Sequence, residues 1–164
     1  MRIAVISDTH MPKGDRVLPA ECVERCSAAD VILHGGDIND LATLDAIRAL
    51  GPPVHAVWGN NCTDEVRAQI PKELVVELGG VQVGMIHIGG PAARRPERLE
   101  ERFPGCGLVI FGHSHVPEHV ITAAGTHVLN PGSPTERRRA PHCAMATVEI
   151  SGGAVARVEI HPIV

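Results

Sequence analysis

Tyrosine is absent from this 164-residue chain, and the aromatics number only Trp58, Phe103 and Phe111. The core must therefore be built from Val, Ile, Leu and Ala. Without stacking aromatics, a base-stacking surface for single-stranded nucleic acid is not expected. Positive charge is also short. The formal net charge is −4, so no broad basic field for nucleic acid is present. No run approaches the roughly 20 apolar residues that span a bilayer, and Met1 to Ile6 is too short for a signal peptide. The expectation is a soluble, cytoplasmic protein with no membrane partner. The five cysteines Cys22, Cys26, Cys62, Cys106 and Cys143 have no zinc-type spacing and leave one unpaired, which reads as free thiols.

What is present is ten histidines, in a chain 44% hydrophobic and long enough to bury one core. Short apolar runs recur. Arg2 to Ile6, Val31 to Leu33, Val54 to Trp58, Val81 to Ile86 and Leu108 to Phe111 read as buried strands. Helical spacing runs over Val17 to Cys26, over Leu41 to Leu50 behind an Asn39 or Asp40 cap, and over the charged stretch Arg94 to Arg102, with a short helix around Asp64 to Gln69. Gly79-Gly80 and Ser151-Gly152-Gly153 read as hairpin turns. Strand and turn fill the rest, with His119 to Thr122 and His127 to Leu129 before the turn Asn130 to Pro134. Strand and helix alternate early and hairpins dominate late. One α/β domain over 1–164 is expected, with two packed sheets and helices outside.

Each strand run ends in a polar cluster: Ser7-Asp8-Thr9-His10, His34-Gly35-Gly36-Asp37, Gly59-Asn60-Asn61, His87, and Gly112-His113-Ser114-His115. In open α/β sheets ligands bind at the carboxyl ends of strands. Neighbouring strands would bring Asp8, His10, Asp37, Asn60, His87, His113 and His115 to one edge. Singly, each such residue could be a cap, a turn former or a core polar group. Together, unpartnered, they would be costly to bury. Imidazoles, carboxylates and one amide oxygen suit Mn²⁺, Fe, Ni²⁺ or Zn²⁺, with the amide favouring Mn²⁺. Two divalent ions about 3.5–4 Å apart lower the pKa of a shared water and hold a phosphate between them, so a bridging hydroxide attacking phosphorus in line is the chemistry expected.

These blocks, in this order, resemble the calcineurin-like metallophosphoesterases, and most of all the YfcE-type small phosphodiesterases. Asn130-Pro131-Gly132-Ser133 resembles the turn that follows the histidine pair there. The likeness covers about residues 1 to 160. It implies a two-sheet β-sandwich flanked by helices, in αββα layers. It also implies hydrolysis of small phosphoesters, often with Mn²⁺ or Ni²⁺. One metal would be held by Asp8, His10, Asp37 and His115, and the second by Asp37, Asn60, His87 and His113, which puts Asp37, Asn60 and His113 at the catalytic centre. Homodimerisation is suggested by analogy alone.

Two positions depart from the pattern. Larger relatives carry a histidine directly after the block-three asparagine, proposed to protonate the leaving group, where this chain has Asn61-Cys62. The block at His87 usually continues Gly-His, where this chain reads Ile88-Gly89-Gly90. An alternative is a non-catalytic scaffold like the retromer subunit of the same fold, which holds protein partners over a degraded metal site. His34 could orient a ligand from behind. The other histidines, and Arg137-Arg138-Arg139, read as surface or strand residues.

Overall fold

A computed structural model describes all residues, 1–164. Ten strands and four helices alternate in the order β1 (Arg2–Ile6), α1 (Ala20–Ser27), β2 (Val31–His34), α2 (Leu41–Arg48), β3 (Val54–Ala56), α3 (Asp64–Gln69), β4 (Glu73–Leu78), β5 (Val81–Ile86), α4 (Arg95–Arg102), β6 (Leu108–Ile110), β7 (Glu118–Ile121), β8 (His127–Asn130), β9 (Cys143–Ser151) and β10 (Ala154–Ile163). They form two five-stranded sheets, ordered β10-β9-β1-β2-β3 and β4-β5-β6-β8-β7. Strands β1, β2 and β3 run parallel, as do β5, β6 and β8. The outer pairings are antiparallel hairpins.

Period-two alternation decides the layers. In β1, Ile3 and Val5 face the second sheet, and Ala4 and Ile6 face the helices. In β2, Leu33 points inward and Ile32 outward. In β6, Leu108 and Ile110 fill the space between sheets while Val109 packs outward with Leu99 and Phe103. Helices α1, α2 and α3 cover the first sheet through Cys22, Cys26, Leu44, Ile47 and Val66, and α4 covers the second. The expected two-sheet sandwich with flanking helices is the observed one.

Local chemistry sets most boundaries. Asp40 caps α2, accepting the Thr43 N–H at 2.8 Å. Helix α1 begins three residues later than its apolar spacing suggests. Pro19 occupies the cap with an extended ψ of 146°, and Val17 is left 73% exposed rather than on the buried face. Arg94 likewise stands outside α4, in a left-handed conformation. All five cysteines are free thiols, and no helix is long and apolar enough to cross a membrane.

Leu33 is fully buried between the sheets. Leu33→Ala should lower stability by about 2–5 kcal/mol, seen as an earlier urea midpoint with an unchanged slope. A loss well below about 1 kcal/mol would contradict its place in the inter-sheet core.

Candidate metal centre

The parallel strands of both sheets end on the same rim. Beyond β1 stand Asp8 and His10, beyond β2 Asp37, beyond β3 Asn60, beyond β5 His87, and beyond β6 His113 and His115. Five of these leave their strands in the left-handed backbone region: Asp8 (φ 55°), His10 (46°), Asp37 (59°), His113 (70°) and His115 (61°). Each such non-glycine residue costs on the order of 1–3 kcal/mol, and such strain gathers at functional sites. Interlocking bonds hold it in place. Asp8 N–H donates to Gly36 O at 2.8 Å, His10 N–H to Asp37 O at 3.2 Å, and Gly112 N–H to His87 O at 2.9 Å. Ser133 Oγ donates to Asp8 O at 2.7 Å and Thr135 Oγ1 to Thr9 O at 2.6 Å. Glycine is required at two close approaches. A Cβ on Gly112 would collide with Ser7 Oγ and the Asp8 carboxylate, and one on Gly59 with Asp37 Oδ1.

Asp8, His10, Asp37, His87 and His115 are all buried. Their donor atoms form two overlapping groups, Asp8–His10–His115 and Asp8–Asp37–His87, each within 4.8 Å. Asp8 belongs to both groups, and Asp37 Oδ2 lies 3.4 Å from His10 Nε2 of the first as well as from His87 Nε2 of its own. Asp8 Oδ1 lies 3.3 Å from His115 Nε2. Asn60 and His113 stand together at the solvent side, with His113 Nδ1 3.0 Å from Asn60 Oδ1. The rings of His113 and His87 meet edge-on at 5.3 Å. All seven sequence-predicted residues thus reach one rim, five in a buried cluster and two at its mouth.

The hydrogen bonds fix which ring nitrogens are free. Gly35 O and Glu136 O can only accept, so His87 Nδ1 (2.8 Å) and His115 Nδ1 (2.6 Å) carry their protons there. Their Nε2 atoms therefore face the carboxylates. His87 Nε2 is buried with no hydrogen-bond partner. His115 Nε2 stands 3.1 Å from His10 Nε2, an approach that needs a proton or a cation between the two nitrogens. Asp37 is clamped by Asn61, whose backbone N–H reaches Oδ1 at 2.9 Å and whose side-chain amide reaches Oδ2 at 2.8 Å. Asp8 takes Ser7 Oγ at 2.6 Å and the His113 N–H at 2.9 Å. This donor set suits divalent cations: two carboxylates and inward-facing imidazole nitrogens whose outer nitrogens are anchored on carbonyls.

The electrostatics agree. Burial raises the Asp37 carboxyl, but His87 and the Asn61 donors outweigh it and hold it well below the usual carboxylate range. Burial likewise opposes, and His115, His87 and Ser7 prevail, at Asp8, which is also held low. Burial lowers His10, with Asp37 and Asp8 opposing in part. Burial also lowers His113, reinforced by the His87 charge. For His87 burial is overcome by Asp37 and Asp8, so without a cation its imidazole is drawn toward the protonated form. A divalent ion would take the place of that proton.

Other residues support the site, and Glu136 among them left no clear mark in the sequence. Glu136 supplies the carbonyl for His115 and a carboxylate 3.8 Å from His10 Nε2, itself held by Arg16. Asn130 Nδ2 donates to Gly112 O and Ser114 Oγ, both at 3.0 Å, so the Asn130–Ser133 turn is part of the site's support. Arg138 donates to His113 O at 3.2 Å. Cys62 Sγ accepts the Gly59 N–H at 3.2 Å, and burial pushes its thiol up, so it is a structural residue. His34 accepts the Gly36 N–H on Nδ1 at 3.2 Å and meets Thr9 Oγ1 through Nε2 at 3.2 Å, steadying two ligand loops. His119 pairs with His127 on the surface and His161 with Thr147.

Comparison with known proteins agrees with the fold and identifies the family. The profile of the calcineurin-like phosphoesterase superfamily domain matches residues 1–153. A probable metallophosphoesterase of Methanocaldococcus jannaschii is 34% identical over 152 residues, spanning 90% of this chain and 73% of the relative. The solution structure of a Thermotoga maritima protein superposes with a TM-score of 0.76 and 31% identity over 99% of both chains. The Zn²⁺ complex of Vps29 from Entamoeba histolytica superposes with a TM-score of 0.79 at 21% identity, covering 99% and 98%, a likeness of fold. The family match and the fold place the chain in the metallophosphoesterase class. The chain belongs to the calcineurin-like phosphoesterase superfamily, a metal-dependent family, and it carries candidate metal-binding residues.

Burial holds His34 down at about 3, from an ordinary 6.5. The unfolded chain therefore takes up this proton first as pH falls. Stability should drop by about 1.4 kcal/mol per pH unit through this residue between about 6.5 and 3, and be fully present above 6.5. In metal-free protein, wild type should lose about 2 kcal/mol more than His34→Gln between pH 7 and pH 5 by chemical denaturation. Equal losses would contradict the neutral, buried imidazole.

Proposed function

We propose that this chain is a metal-dependent phosphodiesterase with a dinuclear centre. Asp8, His10, Asp37 and His115 hold one divalent cation, and Asp37, Asn60, His87 and His113 the other. The observation that carries the reading is the position of Asp37 Oδ2, equidistant from the His10 and His87 Nε2 atoms, beside a buried His87 nitrogen with no other partner. Asp8 Oδ1 lies near both groups as well, 3.9 Å from His87 Nε2 and 3.9 Å from His10 Nε2. The amide oxygen in the set favours Mn²⁺, while Fe, Ni²⁺ and Zn²⁺ also accept these ligands. Bound, such ions supply an activated water and offset the charge that builds on the phosphoryl oxygens.

The chain's own groups divide the remaining work. Asn61 holds the Asp37 carboxylate ionised and oriented. The Nδ1–H of His113 donates to Asn60 Oδ1, fixing both residues at the mouth, where a phosphoester would first meet the protein. The two residues after Asn60 supply no acid for the leaving group, because Asn61 is committed to Asp37 and the Cys62 thiol is buried behind Gly59. Esters with good leaving groups, such as aryl phosphodiesters, should be cleaved fastest, and alkyl esters slowly. A purely protein-binding role gives no reason for so complete a set of inward-facing donors.

Bis-p-nitrophenyl phosphate with Mn²⁺ tests the proposal. Each 1.36 kcal/mol of lost transition-state stabilisation is tenfold in rate. Cations worth several kcal/mol therefore imply a fall in kcat/KM of about 100-fold or more for Asp37→Ala and His113→Ala. Equal rates in wild type and both variants would remove the enzymatic reading and leave the scaffold one.

A further inference from the structure

Beside the ligand cluster, on the Asn60 and His87 side, opens a cavity of about 290 Å³. That is close to the lower end of the roughly 300–1,000 Å³ typical of small-molecule sites. It lies in the seam between the sheets. Trp58 follows β3 at the edge of the first sheet. Lys72 precedes β4, the edge strand of the second sheet, and Ile86 and Ile88 flank His87 at the end of the neighbouring β5. The Trp58 N–H donates to Pro71 O at 2.9 Å, so the two edges are tied together and the cavity walls are fixed.

The cations around this cavity are not equivalent. Arg102 is ion-paired with Glu73. Arg67 lies 5.0 Å from the Trp58 ring centre and donates to Asn60 O at 3.2 Å. Lys72 makes no ion pair. Its ammonium stands 5.6 Å from the Trp58 ring, near the outer reach of a cation–π contact, on an exposed side chain. The cavity thus combines an indole wall, two isoleucines, one unclaimed positive charge, and an inner end formed by the residues that would hold the second cation.

We propose that this cavity is the subsite for the ester group that stays on phosphorus, and that it selects a planar aromatic ring bearing a negative charge. The ring packs against Trp58, Ile86 and Ile88, and the charge meets Lys72. This assignment rests on the phosphodiesterase reading, and it adds the substrate class. Ile88 supplies part of the apolar wall, and Trp58 supplies the flat one.

Three diesters with one leaving group separate the contributions: methyl, phenyl and 4-carboxyphenyl p-nitrophenyl phosphate, assayed with Mn²⁺. Release of p-nitrophenolate is read in each case. In wild type, kcat/KM should rise from methyl to phenyl to 4-carboxyphenyl, by about tenfold or more overall. Trp58→Leu should abolish the ring advantage. Lys72→Ala should abolish only the carboxylate advantage, acting mainly through KM. The methyl ester should react within about twofold of wild type in both variants. An unchanged preference in the variants, or an equal fall with all three esters, overturns the subsite.

Binding is read separately from turnover. Trp58 is the only tryptophan, so its fluorescence reports this cavity alone. Titration with methyl (4-carboxyphenyl)phosphonate, whose ring is joined to phosphorus by an uncleavable P–C bond, should change it saturably, with a Kd about tenfold weaker in Lys72→Ala. No saturable change overturns the subsite, whatever the activity. Saturable, Lys72-dependent binding with no hydrolysis of any ester would sink the phosphodiesterase reading and keep the pocket.

Discussion

Two carboxylates, Asp8 and Asp37, are buried in ionised form at the seam of a two-sheet sandwich, and the rest of the rim is arranged around their charge. An isolated buried carboxylate is expensive. Here hydrogen bonds from Ser7, Asn61 and the His113 backbone reduce that cost. Those donors do not complete the balance. Imidazole nitrogens of His10, His87 and His115 point into the same space, and two approach each other at 3.1 Å. The short His10–His115 approach is met by a shared hydrogen in the bare chain, and the same converging nitrogens and carboxylates are the donor set a divalent cation would take.

The fold delivers this cluster because its central strands are parallel in both sheets, so their carboxyl ends share an edge. The strands are short, and the chain turns sharply as it leaves them. Five left-handed non-glycine residues occur among the seven candidate ligands. Such strain persists because the loops bond to one another and to the Ser133–Thr135 segment, and because Gly59 and Gly112 leave room for the carboxylates. Rigid loops of this kind preorganise ligands in advance of a metal, so less ordering remains to be done on binding.

Much of this could be read from residues in order. β-branched runs marked the strands, glycine pairs marked two hairpins, and a polar cluster after each parallel strand marked the site. Other features escaped for physical reasons. The apolar spacing of Val17 and Leu18 continues the α1 pattern, yet Pro19 fixes an extended cap and puts both outside the helix. Glu136 and Thr135 touch residues near position 10, and no local periodicity encodes a contact across some 125 positions. Asn61 drew attention for the histidine it replaces, whereas its amide clamps Asp37. Ile88 stood out as a departure from the family pattern, and it lines the cavity beside His87.

Anomalous diffraction from crystals grown with Mn²⁺ tests the central claim most directly. Two peaks about 3.5–4 Å apart are predicted, one beside His10 and His115, the other beside His87, with the Asp37 carboxylate between them. A single peak, or a pair that Asp37 does not join, would contradict the account.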